Sequence, residues 1–227
     1  MVLIDYIALF VFLTLWGGYV WITDGRTVFG RTSLSRLMIE RRRRWIMNSL
    51  DRDLKMIDTQ IIAGLQAGTA FFASTCIFAL GGCFALLGRT MEAQAIFNEL
   101  PYVFQGGRTA FELKVGGLIC LFGYAFFKFG WSYRLFNYCS ILIGGIPMLS
   151  EARVDRAAAE KAAERAIRMN VVAAKHFNAG LRSIFLSIGY LGWFVSPYVL
   201  MITTSIVVIV LFRRQFFSEA RDALLDI

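Results

Sequence analysis

Residues that usually build active sites are scarce in this sequence. Its 227 residues include one histidine, His176, and three prolines. The four cysteines, Cys76, Cys83, Cys120 and Cys139, stand apart in or beside apolar runs and form no CxxC pair. A zinc or haem site needs a ligand cluster that this pattern lacks, and isolated apolar cysteines are typical of small buried hydrophobes.

Catalytic motifs are absent as well. The sequence has no nucleophile elbow, no HExxH motif and no glycine-rich loop between a strand and a helix. We therefore assign no catalytic, cofactor-binding or metal-binding residue, expect no cofactor, and do not expect an enzyme. Alternating strand patterns, which mark a membrane barrel, are also missing.

Long apolar runs are abundant. Hydrophobic residues make up 57% of the chain and the mean hydropathy is +0.59, above the apolar share of soluble domains. A run of about 20 apolar residues is long enough to cross a bilayer. The sequence thus predicts an all-α fold: a polytopic membrane helical bundle with about four transmembrane helices and cytoplasmic helical extensions, forming a single membrane domain over residues 1–227.

The composition along the chain sets the predicted boundaries. We expect spans at about 3–22, 61–88, 115–135 and 184–212, cytoplasmic segments at about 23–60 and 136–182, and an outer loop at about 89–114. Pro197 breaks the last apolar run, which favours either one long kinked span or a helical hairpin. Each arm of a hairpin would be short for a span, so we predict one kinked span and both chain termini outside.

Basic residues predict the orientation. The first run is preceded by no Lys or Arg, whereas residues 23–60 are strongly basic, which predicts a cytoplasmic segment and an outward, periplasmic N-terminus. Arg41, Arg42, Arg43 and Arg44 are expected to lie on the anionic inner leaflet. Trp45 is the one aromatic residue among them, so we expect no nucleic acid.

The same basic segment contains a helical apolar pattern. Met47, Leu50, Leu54, Ile57 and Ile61 recur at steps of three and four residues, which predicts one continuous apolar helix face.

Lys128 stands inside the third apolar run, between phenylalanines. Its stem is long enough to snorkel toward the cytoplasmic boundary at small cost. The other interpretation is a structural contact inside the helix bundle: an ion pair with Asp58, just before the second run, or a hydrogen bond to a backbone carbonyl. A transport or catalytic role is a third, but no second ionisable residue forms an evident relay with Lys128.

Small residues mark two helix faces. Gly64 and Gly68 form a GxxxG pattern in the second run, which is typical of close helix packing in lipid. In the last run Gly189, Gly192, Ser196 and Pro197 are assigned to helix packing. Because Arg182, Gly189, Ser196 and Thr203 recur at seven-residue steps, a pore lining is the alternative.

A polar patch precedes the last run. Lys175, His176, Asn178 and Arg182 are close in sequence and are candidates for binding lipid headgroups or a partner's carboxylates. Helix capping around Asn178 and Gly180 is the simpler explanation.

Several phrases resemble a family of bacterial inner-membrane proteins catalogued as domain of unknown function 599. They are "DTQIIAG", "FFAST", "AFFKFGWSYRLFNY", "ILIGGIP", "HFNAGLRSIFLSIGYLGWFVSP" and "FRRQFFS". The resemblance extends from about Trp45 to Ser218 and departs at Ala179, where a basic residue is usual. It implies a multi-span inner-membrane protein and no reaction or substrate.

These observations favour a non-enzymatic membrane protein that acts by self-assembly or as an accessory subunit of a membrane complex. Its expected partners are membrane lipids of the anionic inner leaflet, further copies of the chain or other membrane-protein subunits. The alternative is an oligomeric channel or small-solute transporter lined by the last span.

Overall fold

The computed structural model describes residues 2–25, 30–99 and 107–225, and these residues are almost entirely helical. The helices are α1 (Leu3–Gly25), α2 (Leu34–Asn48), α3 (Met56–Gly88), α4 (Thr90–Glu99), α5 (Arg108–Gly144), α6 (Leu149–Val154), α7 (Arg156–Tyr190), α8 (Gly192–Val195), α9 (Pro197–Phe216) and α10 (Glu219–Asp222). A 3₁₀ turn, Ser49–Asp51, follows α2.

Four of the described helical segments are long and apolar enough to cross a membrane. They are Leu3–Asp24, Met56–Gly88, Arg108–Gly144 and Pro197–Asp222. The predicted fold class, a polytopic helical bundle with about four spans, is confirmed. The second and third segments are longer than predicted: α3 starts earlier, at Met56, and α5 extends at both ends, from Arg108 to Gly144, with no proline inside either helix.

Contacts divide the chain into two compact units. The first unit comprises Met1–Ser35, Cys76–Ala125 and Leu181–Ile227, and the second comprises Arg36–Thr75 and Phe126–Gly180. Because α3, α5 and α7 each contribute residues to both, the units are groups of contacts rather than separate stretches of chain.

In the first unit the last apolar run forms a helical hairpin. A Cβ on Gly189 would lie 3.1 Å from the Thr204 Cα, and one on Gly192 would lie 3.0 Å from the Val199 carbonyl oxygen. Later residues of α7 and α8 therefore face earlier residues of α9, which makes the helices antiparallel. The prediction of one kinked span over residues 184–212 is wrong.

Local sequence explains where the hairpin turns. Ser196 has an extended backbone, and its side-chain oxygen accepts a hydrogen bond from the Val199 N–H, while Pro197 occupies the first turn of α9. Serine before a helix and proline at its first position are both strongly favoured. The pair starts a new helix instead of kinking an old one.

The C-terminal tail returns to the segment that follows α1. Arg31 donates to the Phe216 carbonyl (3.4 Å), the Ser35 backbone N–H donates to the Gln215 side chain (3.2 Å), and Arg221 donates to the Thr32 carbonyl (3.0 Å). Helix α1 lies between the N-terminus of the chain and residues 30–35. Because the tail contacts residues 30–35, it lies at the opposite end of α1 from the N-terminus. With α1 as a span, this arrangement contradicts the prediction that both termini lie outside.

The second unit has a core of its own. Ile46 and Leu50 pack with Ile143, Ile167 and the buried alanines of α7. Small alanines let α7 approach its neighbours closely, which suits helix-on-helix packing.

The predicted apolar face over residues 47–61 does not form, because α2 ends at Asn48 and α3 starts only at Met56. Leu50 is buried, whereas Leu54 and Ile57 are exposed.

We predict that Gly192→Ala destabilises the fold by about 1–3 kcal/mol, because the added methyl group meets Thr203 and the Val199 backbone in a packed site. Gly130→Ala is the matched control, since no atom lies within 4 Å of its Cβ position, and alanine is the better helix former. Thermal unfolding in detergent measures both. Equal melting temperatures for the two variants would contradict the close packing.

Candidate functional site

The relative register of α3 and α5 in the second unit decides which polar residues can meet. Gln66 donates to Asn137 (2.6 Å), and the Phe72 and Phe129 rings stack with centroids 5.5 Å apart. Earlier residues of α3 therefore face later residues of α5. Lys128, next to Phe129, is level with residues of α3 near position 73.

Asp58 lies about 15 residues before that level, or roughly 22 Å along α3. The predicted ion pair between Lys128 and Asp58 is therefore wrong. Asp58 lies in the first turn of α3, whereas Lys128 lies near the middle of α5, which continues to Gly144.

Asp58 is instead bound locally. Its side chain is 1% exposed and accepts hydrogen bonds from the Trp45 indole (2.7 Å) and from Arg52, which also forms its ion pair. Lys55 donates to the carbonyl oxygens of Ile146 and Pro147, just after α5. These bonds fix the connection between α2 and α3, which is a structural role.

The predicted polar patch divides between two surroundings. Arg182 is 14% exposed and binds the Asp24 carboxylate through both terminal nitrogens, at 2.8 and 3.3 Å. Lys175 is exposed, and His176 and Asn178 are half-buried within the unbroken helix α7. Since α7 continues to Tyr190, the predicted helix cap at Asn178 and Gly180 does not exist.

The surroundings of His176 favour its neutral form. Partial burial, and then the charge of Lys128, lower the pKa of this imidazole below its usual value of 6.5. Both causes disfavour the protonated form. Of the predicted patch, Lys175 alone remains as an exposed cation, because Arg182 is paired.

The predicted packing glycines differ in their surroundings. Gly189 and Gly192 contact α9, and Thr203 donates to the Gly189 carbonyl (2.6 Å). Gly64 and Gly68 have no atom of other elements within 4 Å of their Cβ positions. The proposed pore stripe of the last run thus faces protein at Gly189 and Thr203, while the GxxxG pattern of α3 faces outward.

The arginine cluster makes contacts within the second unit. Arg42 donates to Asn170 (2.6 Å), and Arg43 pairs with Glu164 (3.0 Å). Burial lowers the pKa of Arg42. Arg44 is exposed and Arg41 half-buried, and their membrane-surface role stays a prediction.

A buried charged cluster in the first unit was not predicted. The Trp193 indole donates to Asp5 (2.8 Å), and Lys114 donates to the Trp193 carbonyl (2.8 Å). Asp5 and Lys114 are both buried. Asp5, Lys114 and Trp193 are too far apart in sequence for a local pattern to link them. A charged residue at or near the end of an apolar run, as at Asp5 and at Lys114, is nevertheless a signal that could have marked these two residues.

Metal ligands are not gathered in the described residues. Within residues 2–25, 30–99 and 107–225 no three His, Cys, Asp or Glu side chains come together as a metal site would require. Cys76, Cys83 and Cys139 are buried and Cys120 is exposed, all four as free thiols.

Comparison with known proteins identifies the family. The family described as "Protein of unknown function, DUF599" matches residues 7–220. The chain belongs to this family. No curated protein matches it, and no solved structure matches it either. Membership of DUF599 agrees with the resemblance seen in the sequence.

For this DUF599 chain we predict that Trp193→Phe lowers stability by about 1–3 kcal/mol, because the buried Asp5 carboxylate loses one of its hydrogen-bond donors. Trp131→Phe, at an exposed tryptophan, is the control and should change stability little. Thermal unfolding in detergent compares them. A Trp193→Phe variant as stable as Trp131→Phe would show that the cluster does not hold the hairpin turn.

Proposed function

We propose that this protein is a non-enzymatic integral membrane protein that acts by self-association, with a second copy of the chain packed against the outward face of α3. It is a multi-pass protein of the bacterial inner membrane in this proposal. The observation that carries it is the length of the exposed apolar face of α3.

Most of α3 is not covered by the rest of the chain. Only 11% of its most apolar 18-residue window is buried, against 39% for α5. The exposed side chains include large ones near both ends, such as Ile57 (64% exposed) and Phe84 (60% exposed). Contiguous apolar surface of this kind marks contact with lipid or with protein.

The hydrocarbon core of a bilayer is too thin to cover the whole exposed apolar face of α3. Helix α3 has 33 residues, which is about 50 Å at 1.5 Å per residue, while the hydrocarbon core is about 30 Å thick. The exposed apolar side chains run from Met56 to Leu86, which is about 45 Å, and placing all of them in the core requires a tilt of about 48°, beyond the usual range of 0–40°. Part of the apolar face therefore needs a protein neighbour.

A second copy of α3 can be that neighbour. The residues of this face recur at steps of three and four, and all are exposed except Gly68, which is half-buried: Ile57, Ile61, Gly64, Gly68, Phe71, Thr75 and Phe78. Glycines between larger side chains let two helix backbones approach closely. A row that is the same on both partners can pair about a two-fold axis, the commonest symmetry of soluble homo-oligomers.

Orientation follows from the distribution of basic residues. The segment after α1 is rich in arginine and is cytoplasmic by the positive-inside rule. The C-terminal tail binds that segment through Arg31, Ser35 and Arg221, so the tail is cytoplasmic too and the N-terminus is periplasmic. In this topology the end of α7, which is the first arm of the hairpin, crosses the membrane in addition to the four apolar helices.

The association is tested by replacing Gly64 and Gly68 together with leucine. We expect the dimer to weaken by about tenfold or more, because the bulky side chains separate the helices. The isolated subunit should keep its melting temperature, since both positions are open in the chain. Mass photometry in nanodiscs reports the oligomeric state.

The matched control replaces Gly17 and Gly18 of α1, which also have no atom within 4 Å of their Cβ positions, with leucine. It should leave the oligomer intact. A wild-type protein that stays monomeric over the whole concentration range would refute the proposal.

Orientation is tested with epitope tags at the two ends of the chain. In cells with a permeabilised outer membrane and an intact inner membrane, an antibody should reach the N-terminal tag and reach the C-terminal tag only after lysis. Access to both tags before lysis would contradict this topology.

A further inference from the structure

One exposed face of α5 combines aromatic side chains with a single arginine. Phe127, Trp131, Arg134 and Tyr138 are all exposed. Their steps of three and four residues place them on the same side of the helix. We call these four residues the boundary row. Its first members are apolar or aromatic, and Arg134 is its only charged residue.

Arg134 lies at the level where the hydrocarbon core ends. Leu113 is exposed and directly follows the ion pair between Arg108 and Glu112 (2.8 Å), so the lipid-facing part of α5 begins there. Arg134 is 21 residues further along the same unbroken helix, which is about 32 Å. An average tilt of about 20° reduces this to about 30 Å along the bilayer normal, and the hydrocarbon core has about this thickness.

The side chain of Arg134 is oriented by Tyr138. Its Nε donates a hydrogen bond to the Tyr138 hydroxyl (2.6 Å), and its guanidinium carbon lies 5.5 Å from the centroid of the Tyr138 ring. This bond does not use the two terminal amino groups of the guanidinium. Two parallel N–H groups of an arginine match two oxygens of a phosphate group, so Arg134 keeps the donors that a phosphate requires.

The charge of Arg134 is not neutralised by a carboxylate. Helix α5 has no Asp or Glu between Leu113 and Gly144. Within residues 2–25, 30–99 and 107–225, ion pairs form at other arginines, such as Arg182 with Asp24 (2.8 Å), and none forms at Arg134. An unneutralised cation at the headgroup level favours an anionic ligand.

We propose that the boundary row binds an anionic phospholipid of the inner leaflet, with the headgroup phosphate on Arg134 and an acyl chain along Phe127. This goes beyond self-association through α3, and it uses only the proposed orientation, in which α5 enters from the periplasm. Bilayer lipids present their phosphate groups at the level of Arg134, whereas a soluble phosphate must reach it from water. Trp131 lies one turn nearer the hydrocarbon, where tryptophan is enriched in membrane proteins.

Selectivity for an anionic lipid follows from the same lack of carboxylates. A zwitterionic lipid carries an ammonium group beside its phosphate, and the positive charge of Arg134 repels that group. No Asp or Glu of α5 beyond Leu113 is present to bind it. Phosphatidylglycerol carries an uncharged glycerol in its place, so we expect it to bind more tightly than phosphatidylethanolamine.

The test is native mass spectrometry of the full-length protein, released from detergent micelles that contain increasing amounts of phosphatidylglycerol or phosphatidylethanolamine. The wild type should bind its first phosphatidylglycerol about fivefold more tightly, which is roughly the contribution of one basic residue near an anionic surface. Bound lipids are counted separately on monomers and dimers, so the result does not depend on self-association.

Arg134→Gln removes the charge and keeps much of the side-chain length. Its affinity for the first phosphatidylglycerol should fall about fivefold. Arg213→Gln is the matched control, because Arg213 is also an exposed arginine near the cytoplasmic end of a span, in the last turn of α9; it should bind phosphatidylglycerol as tightly as the wild type. Tyr138→Phe removes the hydroxyl that orients Arg134 and should give an intermediate affinity, since the charge remains.

Any of three results would overturn the proposal. Equal affinity of the wild type for the two lipids would mean that the row contacts lipid without selecting an anion, and this comparison stands even if a variant fails to fold. Displacement of phosphatidylglycerol by glycerol phosphate would indicate a site for a soluble phosphate. Loss of the dimer in Arg134→Gln with unchanged lipid affinity would make the row a contact between copies of the chain.

Discussion

A bilayer provides about 30 Å of hydrocarbon, and α3 is a largely uncovered apolar helix of 33 residues. Exposed apolar side chains continue from Met56 to Leu86, so no single tilt of the usual size places all of them in lipid. A second copy of the chain covers, in the proposed function, the part of this face that lipid does not reach. In the proposed function, the association of the protein follows from this excess of apolar length.

Buried polar contacts fix the rest of the first unit around the hairpin. Charged groups inside a membrane protein are costly unless they are hydrogen-bonded. Trp193 binds two such charged groups: its indole donates a hydrogen bond to Asp5, and its carbonyl accepts one from Lys114. Close contact at Gly189 and Gly192 then joins α9 to α7 and α8. The turn of the hairpin is therefore tied to both α1 and α5.

Features that follow from composition could be predicted from the sequence, whereas features that depend on the relative register of the helices could not. Apolar run length was enough to predict four spans, since lipid requires it. The sequence did not favour a hairpin, because its first arm is short if it begins with the apolar run at Ser183. In the structure this arm is the end of α7, a helix of 35 residues that begins in the polar segment before the run. The pairing of Asp58 required knowing where α3 starts and where α5 ends, and Arg52, six residues away, was the closer partner.

The most direct measurement places nitroxide labels, one at a time, at Ile57, Ile61 and Phe71 of α3 in nanodiscs, with Ile206 of α9 as an exposed apolar reference. Collision rates with oxygen report lipid contact, and rates with a nickel chelate report water contact. If a second copy covers the face, both rates are low at Ile57 and Ile61, while oxygen collisions are frequent at Ile206. Frequent oxygen collisions at every α3 position, or frequent nickel collisions at Ile57 and Ile61, would contradict the account.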